Sequence, residues 1–156
     1  MTGVLSLGSN LGDRLAHLRA GIELVRQIVP VTAVSSIYET DPVGVSGQQA
    51  YLNCVVVVEC DDPDALLGAA QRAEDLRGRV RSSRWAPRPL DVDVVAVDAL
   101  VRDDARLTLP HPRAAERAFV LVPWSEIDPV AELPGHGAVR TLLARVDTSG
   151  VRRWSA

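Results

Sequence analysis

The chain has 156 residues, 47% of them hydrophobic and 24% charged, with a formal charge of −3, which suits one globular domain with a real core. The mildly acidic balance argues against non-specific nucleic-acid binding, and no stretch approaches the ~18 to 20 uninterrupted apolar residues of a membrane span. All seventeen basic residues are arginine, which excludes a P-loop, whose lysine must reach the β/γ-phosphates, and Schiff-base chemistry through a lysine.

The opening VLSL reads as a short buried strand ended by the turn-forming GSNLGD. It carries no positive leader region, so a cytoplasmic location is expected. From Asp13 to about Ile28, Leu15, Leu18, Ile22 and Val25 recur at helical spacing, with Asn10 as the capping signal and Pro30 as the stop. Residues 31–40 read as one β-branched strand, followed by a Pro/Gly loop. YLNCVVVVEC is a strand buried on both faces. Its Cys54 and Cys60 would lie roughly 20 Å apart at ~3.3 Å per residue, beyond disulfide reach, and read as small buried hydrophobes. Asp62-Pro63 then opens a helix running to about Arg77.

A polar arginine-rich loop over 78–88 leads into the strand LDVDVVAV. The order β-α-β-β-α-β predicts an α+β, ferredoxin-like fold as a single domain over residues 1–156. The remainder adds a charged hairpin (VRDDARLTL), a short helix in PHPRAAERAFVLVP, a last helix around 139–146 and a loose VRRWSA tail.

The chemistry concentrates in RWAPRPLDVD, residues 84–93. Residues two apart on a strand point to one side, so Asp91 and Asp93 project together while Val92 and Val94 face the core. Paired carboxylates suit Mg²⁺ with water and phosphate oxygens; a solvated strand face is the plainer reading. Arg79, Arg81, Arg84 and Arg88 lie just upstream, and their planar forks match phosphate oxygens or form surface ion pairs. Trp85 is either a core anchor or a ligand contact. Tyr51 and Asn53 share a strand side, and a ring with an amide suits a heteroaromatic ligand. His111 sits between prolines in LPHPR, with Arg113 and Arg117 behind it.

In order, LGSNLGDR, YETDPVG, YLN, GRVRSSRWAPRPLDVD and LPHPR with RAFVLVP resemble the hydroxymethyldihydropterin pyrophosphokinases of the folate pathway, over residues 5 to about 126. The resemblance implies the same ferredoxin-like fold and transfer of pyrophosphate from ATP to the hydroxymethyl group of a reduced pterin, with AMP released. It implies that Asp91 and Asp93 ligate two Mg²⁺ ions and that Arg79 and Arg88 clamp phosphates at the reacting centre. Gln71, Glu74, Arg81, Trp85, Arg88, His111 and Arg117 would meet ATP. The pterin would stack between Tyr51 and Phe119, with Asn53 and the backbone around Thr40 and Val43 reading its edge, Asp91 near its hydroxymethyl group and Trp85 closing over it.

Two departures stand out: Ala86 replaces the glycine usual in RWGPR, and the loop before YLN is short. The implied partners are small molecules alone, with no nucleic acid, no membrane and no obligate protein partner, so a monomer is expected. Two other classes compete. Another Mg²⁺-dependent nucleotidyl or phosphoryl transferase would differ in acceptor and release pyrophosphate rather than AMP. The other is a ferredoxin-like RNA-binding or small-ligand regulatory domain; RNA binding would want basic charge and a sheet-surface aromatic motif, and neither is present.

Overall fold

The structure, a computed structural model, describes residues 1–42, 49–78 and 89–155. Strand β1 (Thr2–Ser9) is buried from Gly3 onward because strands flank it on both sides. Helix α1 (Arg14–Ile28) follows, capped by Asp13, whose carboxylate accepts from Ala16 N at 3.1 Å. Asn10 is therefore not the cap. Asp13, three residues ahead of the Ala16 N–H, takes that role, and the helix begins within one residue of its expected start at Asp13.

Residues 31–40 form two strands rather than one, β2 (Val31–Val34) and β3 (Tyr38–Thr40). The break has a local cause at Ser35. Its N–H donates to Val55 O, and its hydroxyl takes the Val55 N–H at 2.9 Å that a backbone carbonyl would otherwise accept. A side chain thus substitutes for half a ladder pair. Glu126 fixes the break from outside, accepting from Ser36 N at 2.8 Å and Ser36 Oγ at 2.6 Å.

Strand β4 (Tyr51–Glu59) pairs antiparallel with β1, β2 and β3. Helix α2 (Pro63–Leu76) begins at its expected cap, Asp62, and returns the chain to β5 (Asp91–Val97) on the other flank of β1. A hairpin of β6 (Arg102–Asp103) and β7 (Thr108–Leu109) follows. Helix α3 (Ala118–Ile127), a small pair β8 (Glu132–Leu133) and β9 (Gly137–Ala138), and helix α4 (Val139–Leu143) come next. Helix α3 runs through Pro123, which lies buried inside it.

The VRRWSA segment is not loose. It forms β10 (Val151–Arg153), which extends the sheet to the order β10–β3–β4–β1–β5. Trp154 N donates to Ile37 O at 2.8 Å, and the Arg14 guanidinium stands 5.3 Å from the Trp154 ring centroid.

Side-chain alternation gives the sheet two different faces. Leu5, Leu7, Cys54, Val56, Val92 and Val94 point toward α1 and α2 and build the larger core. Val4, Val55 and Val95 point the other way and are covered by Val120, Leu121 and Trp124 of α3 with help from α4. Both cysteines are free and buried, and burial pushes the Cys54 thiol up to about 12. Among the described residues no helix is long and apolar enough to cross a membrane.

Candidate active site

Helices α3 and α4 cover only part of the second face. The rest forms the floor of a cavity of about 960 Å³. Strand register places its side chains. Asn53, Gly8 and Asp91 stand in one row across β4, β1 and β5, and Val55, Ser6 and Asp93 stand in the next. Thr40 is paired with Tyr51 on the β3 side. At ~4.8 Å per strand, the amide of Asn53 and the carboxylate of Asp91 are separated by about 10 Å. A flat ring at one end can thus present a substituent to charged groups at the other.

The Asn53 end is preorganised. Asn53 is 3% exposed and its Nδ2 donates to Thr40 Oγ1 at 2.7 Å. Between Asn53 and Asp91 the floor is tight, because a Cβ on Gly8 would lie 3.0 Å from Asn53 Oδ1 and the amide would have to give way. Tyr51 and Phe119 both line the cavity.

The charged end holds Asp91, Asp93 and Arg117. Arg117 Nη1 stands 3.9 Å from Asp93 Oδ2, and its guanidinium lies 5.4 Å from the Phe119 ring centroid. His111 is held beside them, its N–H donating to Val95 O at 2.8 Å and its Nδ1 accepting from Arg113 N at 3.2 Å. Burial holds the imidazole below the usual histidine range, Arg117 and Arg113 reinforce this, and Asp93 opposes it. With Nδ1 accepting, neutral His111 keeps its proton on Nε2 as a donor.

Seven sequence-predicted residues thus meet around one cavity: Thr40, Tyr51, Asn53, Asp91, Asp93, Arg117 and Phe119. His111 adjoins them without lining it. Gln71 is exposed on α2, and Glu74, 5% exposed, accepts from Val92 N at 3.1 Å between the two aspartates; neither lines the cavity. Val43, Arg79, Arg81, Trp85 and Arg88 lie outside the described residues. Sequence reasoning missed Gly8 and Ser6 in the floor, and the rim residues Asp41, Asp147 and Ser149. The alternation of LSLGS held a signal for the first pair, but only the register shows which strands they join.

The described walls carry Asp41, Asp91, Asp93, Glu116 and Asp147 against Arg113 and Arg117. A polyphosphate would meet net negative charge there, so its binding needs further cations. Among the described residues no three His, Cys, Asp or Glu side chains group to enclose a metal. Two same-side carboxylates at a cavity floor nevertheless fit Mg²⁺, which keeps waters and takes its other ligands from phosphates.

The family model described as 7,8-dihydro-6-hydroxymethylpterin-pyrophosphokinase (HPPK) matches residues 4–129. A 2-amino-4-hydroxy-6-hydroxymethyldihydropteridine pyrophosphokinase of Mycobacterium tuberculosis is 47% identical over 149 residues, covering 88% of this chain and 78% of its own. Its namesake from Bacillus subtilis is 41% identical over 153 residues, covering 96% and 88%. Among solved structures, the wild-type Plasmodium falciparum HPPK-DHPS with pteroate aligns over 92% of this chain with a TM-score of 0.72 at 12% identity. The chain spans 44% of that longer protein, so this likeness bears on the fold alone.

Proposed function

We propose a working scheme for this site from one premise: the chain belongs to the 7,8-dihydro-6-hydroxymethylpterin-pyrophosphokinase family. It transfers pyrophosphate from ATP to the hydroxymethyl group of 6-hydroxymethyl-7,8-dihydropterin, a step of folate biosynthesis that leaves AMP. In our reading the pterin lies at the Thr40 end, between the rings of Tyr51 and Phe119, with Asn53 and the backbone around Thr40 and Val43 reading its polar edge. Stacking and a pinned amide together orient a flat heteroaromatic ring. Its hydroxymethyl group then points along the Asn53–Gly8–Asp91 row toward the phosphates.

Arg117 and the Nε2–H of His111 face the triphosphate at the other end, and Arg79 and Arg88 clamp it at the reacting centre. Gln71 meets the nucleotide from α2 and Arg81 meets it too, and Trp85 closes over both substrates and sheds water. Glu74, buried as it is, serves the nucleotide by holding the Val92 backbone and hence the spacing of Asp91 and Asp93. Two Mg²⁺ ions held by Asp91 and Asp93 would neutralise the triphosphate and polarise the reacting phosphorus. Every other contribution is positioning, which suits phosphoryl transfer. The chain works in this reading as a single-domain monomer in the cytoplasm, on small molecules, without nucleic acid, membrane or an obligate protein partner.

One observation carries the scheme: the register brings Tyr51 and Asn53 to one end, and Asp91 and Asp93 to the other, of a single open sheet face. Calorimetric titration tests it. Asn53→Ala should weaken the pterin and spare the nucleotide, while Asp93→Ala should abolish the Mg²⁺ dependence of nucleotide binding. Pterin affinity unchanged in Asn53→Ala would put the ring elsewhere.

A further inference from the structure

The chain beyond the family match contributes to the cavity. Asp147, Ser149, Gly150 and Val151 line it, although the family model ends at residue 129. We propose that this C-terminal strand is the outer wall of the ring subsite and that Arg152 is the positioning residue that holds it there. The proposal rests on the reading above, in which the pterin occupies the Thr40 end.

Three contacts attach the wall to the ring-reading backbone. Asp41 N donates to Gly150 O at 3.0 Å, Val151 is paired with Thr40, and Arg152 with Glu39. The Arg152 fork then spans two carboxylates, Nη2 donating to Glu39 Oε1 at 2.7 Å and Nη1 to Asp41 Oδ1 at 2.9 Å. Glu39 is held from the opposite side by Arg14 Nη1 at 3.1 Å, which also donates to Ala50 O at 2.7 Å, next to Tyr51. A chain of alternating charges thus runs Arg14–Glu39–Arg152–Asp41, joining α1, β3 and β10 behind Thr40. Arg152 itself is half exposed and does not line the cavity, so it acts through Asp41 and Gly150.

Strand order makes the effect one-sided. Strand β10 stands four strands from β5, about 19 Å at ~4.8 Å per step. Loosening it should disturb the ring subsite and leave the phosphate end alone. A residue that merely supported the fold would affect both substrates alike.

The test is steady-state kinetics of the full chain for wild type, Arg152→Met, Arg152→Lys and Asp147→Ala, with the pterin and ATP varied separately. Asp147 lies in an exposed turn, where its Oδ1 accepts from Ser149 N at 2.9 Å, so its loss shifts the wall without threatening the fold. Arg152→Met should raise KM for the pterin by about fivefold, the upper range for a half-exposed charge pair. Its kcat and KM for ATP should stay within about twofold. Arg152→Lys, which keeps the charge and loses the fork, should fall between, and Asp147→Ala should shift the same constant. An unchanged pterin KM in Arg152→Met, or an equal rise in both KM values, would overturn the proposal. Wild type without pterin-dependent AMP release would instead sink the underlying reading.

Discussion

Gly8→Ala isolates one feature of the floor. The added Cβ would sit 3.0 Å from Asn53 Oδ1, so the amide must give by a few tenths of an ångström. It has little room, being 3% exposed and tied to Thr40 Oγ1 at 2.7 Å. Adding one methyl to a packed site costs about 1 to 3 kcal/mol. The overlap here is shallow, so ~1 kcal/mol is expected, which lowers Tm by about 2 to 4 °C in a chain of this size. The same displacement moves the group proposed to read the ring, so pterin affinity should fall by about fivefold. Urea unfolding and calorimetric pterin titration measure the two losses. A double-mutant cycle with Asn53→Ala locates their cause, because a clash transmitted through the amide gives a coupling of about 0.5 kcal/mol or more. Additive effects, or wild-type pterin affinity in Gly8→Ala, would refute the argument.

Three further outcomes are expected. Glu74→Ala leaves the buried Val92 N–H without its acceptor and should cost about 1 to 3 kcal/mol in urea unfolding, with kcat reduced because Asp91 and Asp93 flank Val92. Asp62→Ala removes the carboxylate that accepts from Ala65 N at 2.7 Å and should cost about 1 kcal/mol by thermal unfolding, with unchanged kinetics. Burial, then the charge of Arg77, whose Nε donates to His17 Nδ1 at 2.9 Å, holds His17 below its ordinary 6.5. The unfolded chain therefore takes up this proton at higher pH than the folded one, so the contribution is intact above about pH 6.5 and is lost as pH falls. His17→Asn should flatten the decline of stability between about pH 7 and pH 5.

The core topology was legible in the sequence because its signals are local. Caps, apolar periodicity and β-branched runs are read within one element, and β4, α2 and β5 stand where those signals place them. The alternation of LDVDVV likewise sorted Asp91 and Asp93 from Val92 and Val94 correctly. What escaped depends on partners distant in sequence. Ser35 breaks a strand because its hydroxyl accepts the Val55 N–H in place of a ladder carbonyl. The tail is a strand because β3 offers a free edge, and three polar-flanked residues carry no such message alone. Gly8 matters through Asn53 and Asp91, 45 and 83 positions away by their numbering, and only register brings those side chains into one row.

The central claim is that one sheet face holds a pterin at one end and a metal-bound triphosphate at the other. Its most direct test is the release of AMP from ATP and Mg²⁺ with 6-hydroxymethyl-7,8-dihydropterin, by wild type and by Asp93→Ala. Wild type should release AMP only with the pterin present, and the variant should do so at least about a hundredfold more slowly, the scale of losing a group that stabilises transition-state charge. Pyrophosphate in place of AMP, or a variant that keeps most of its rate, would contradict the claim.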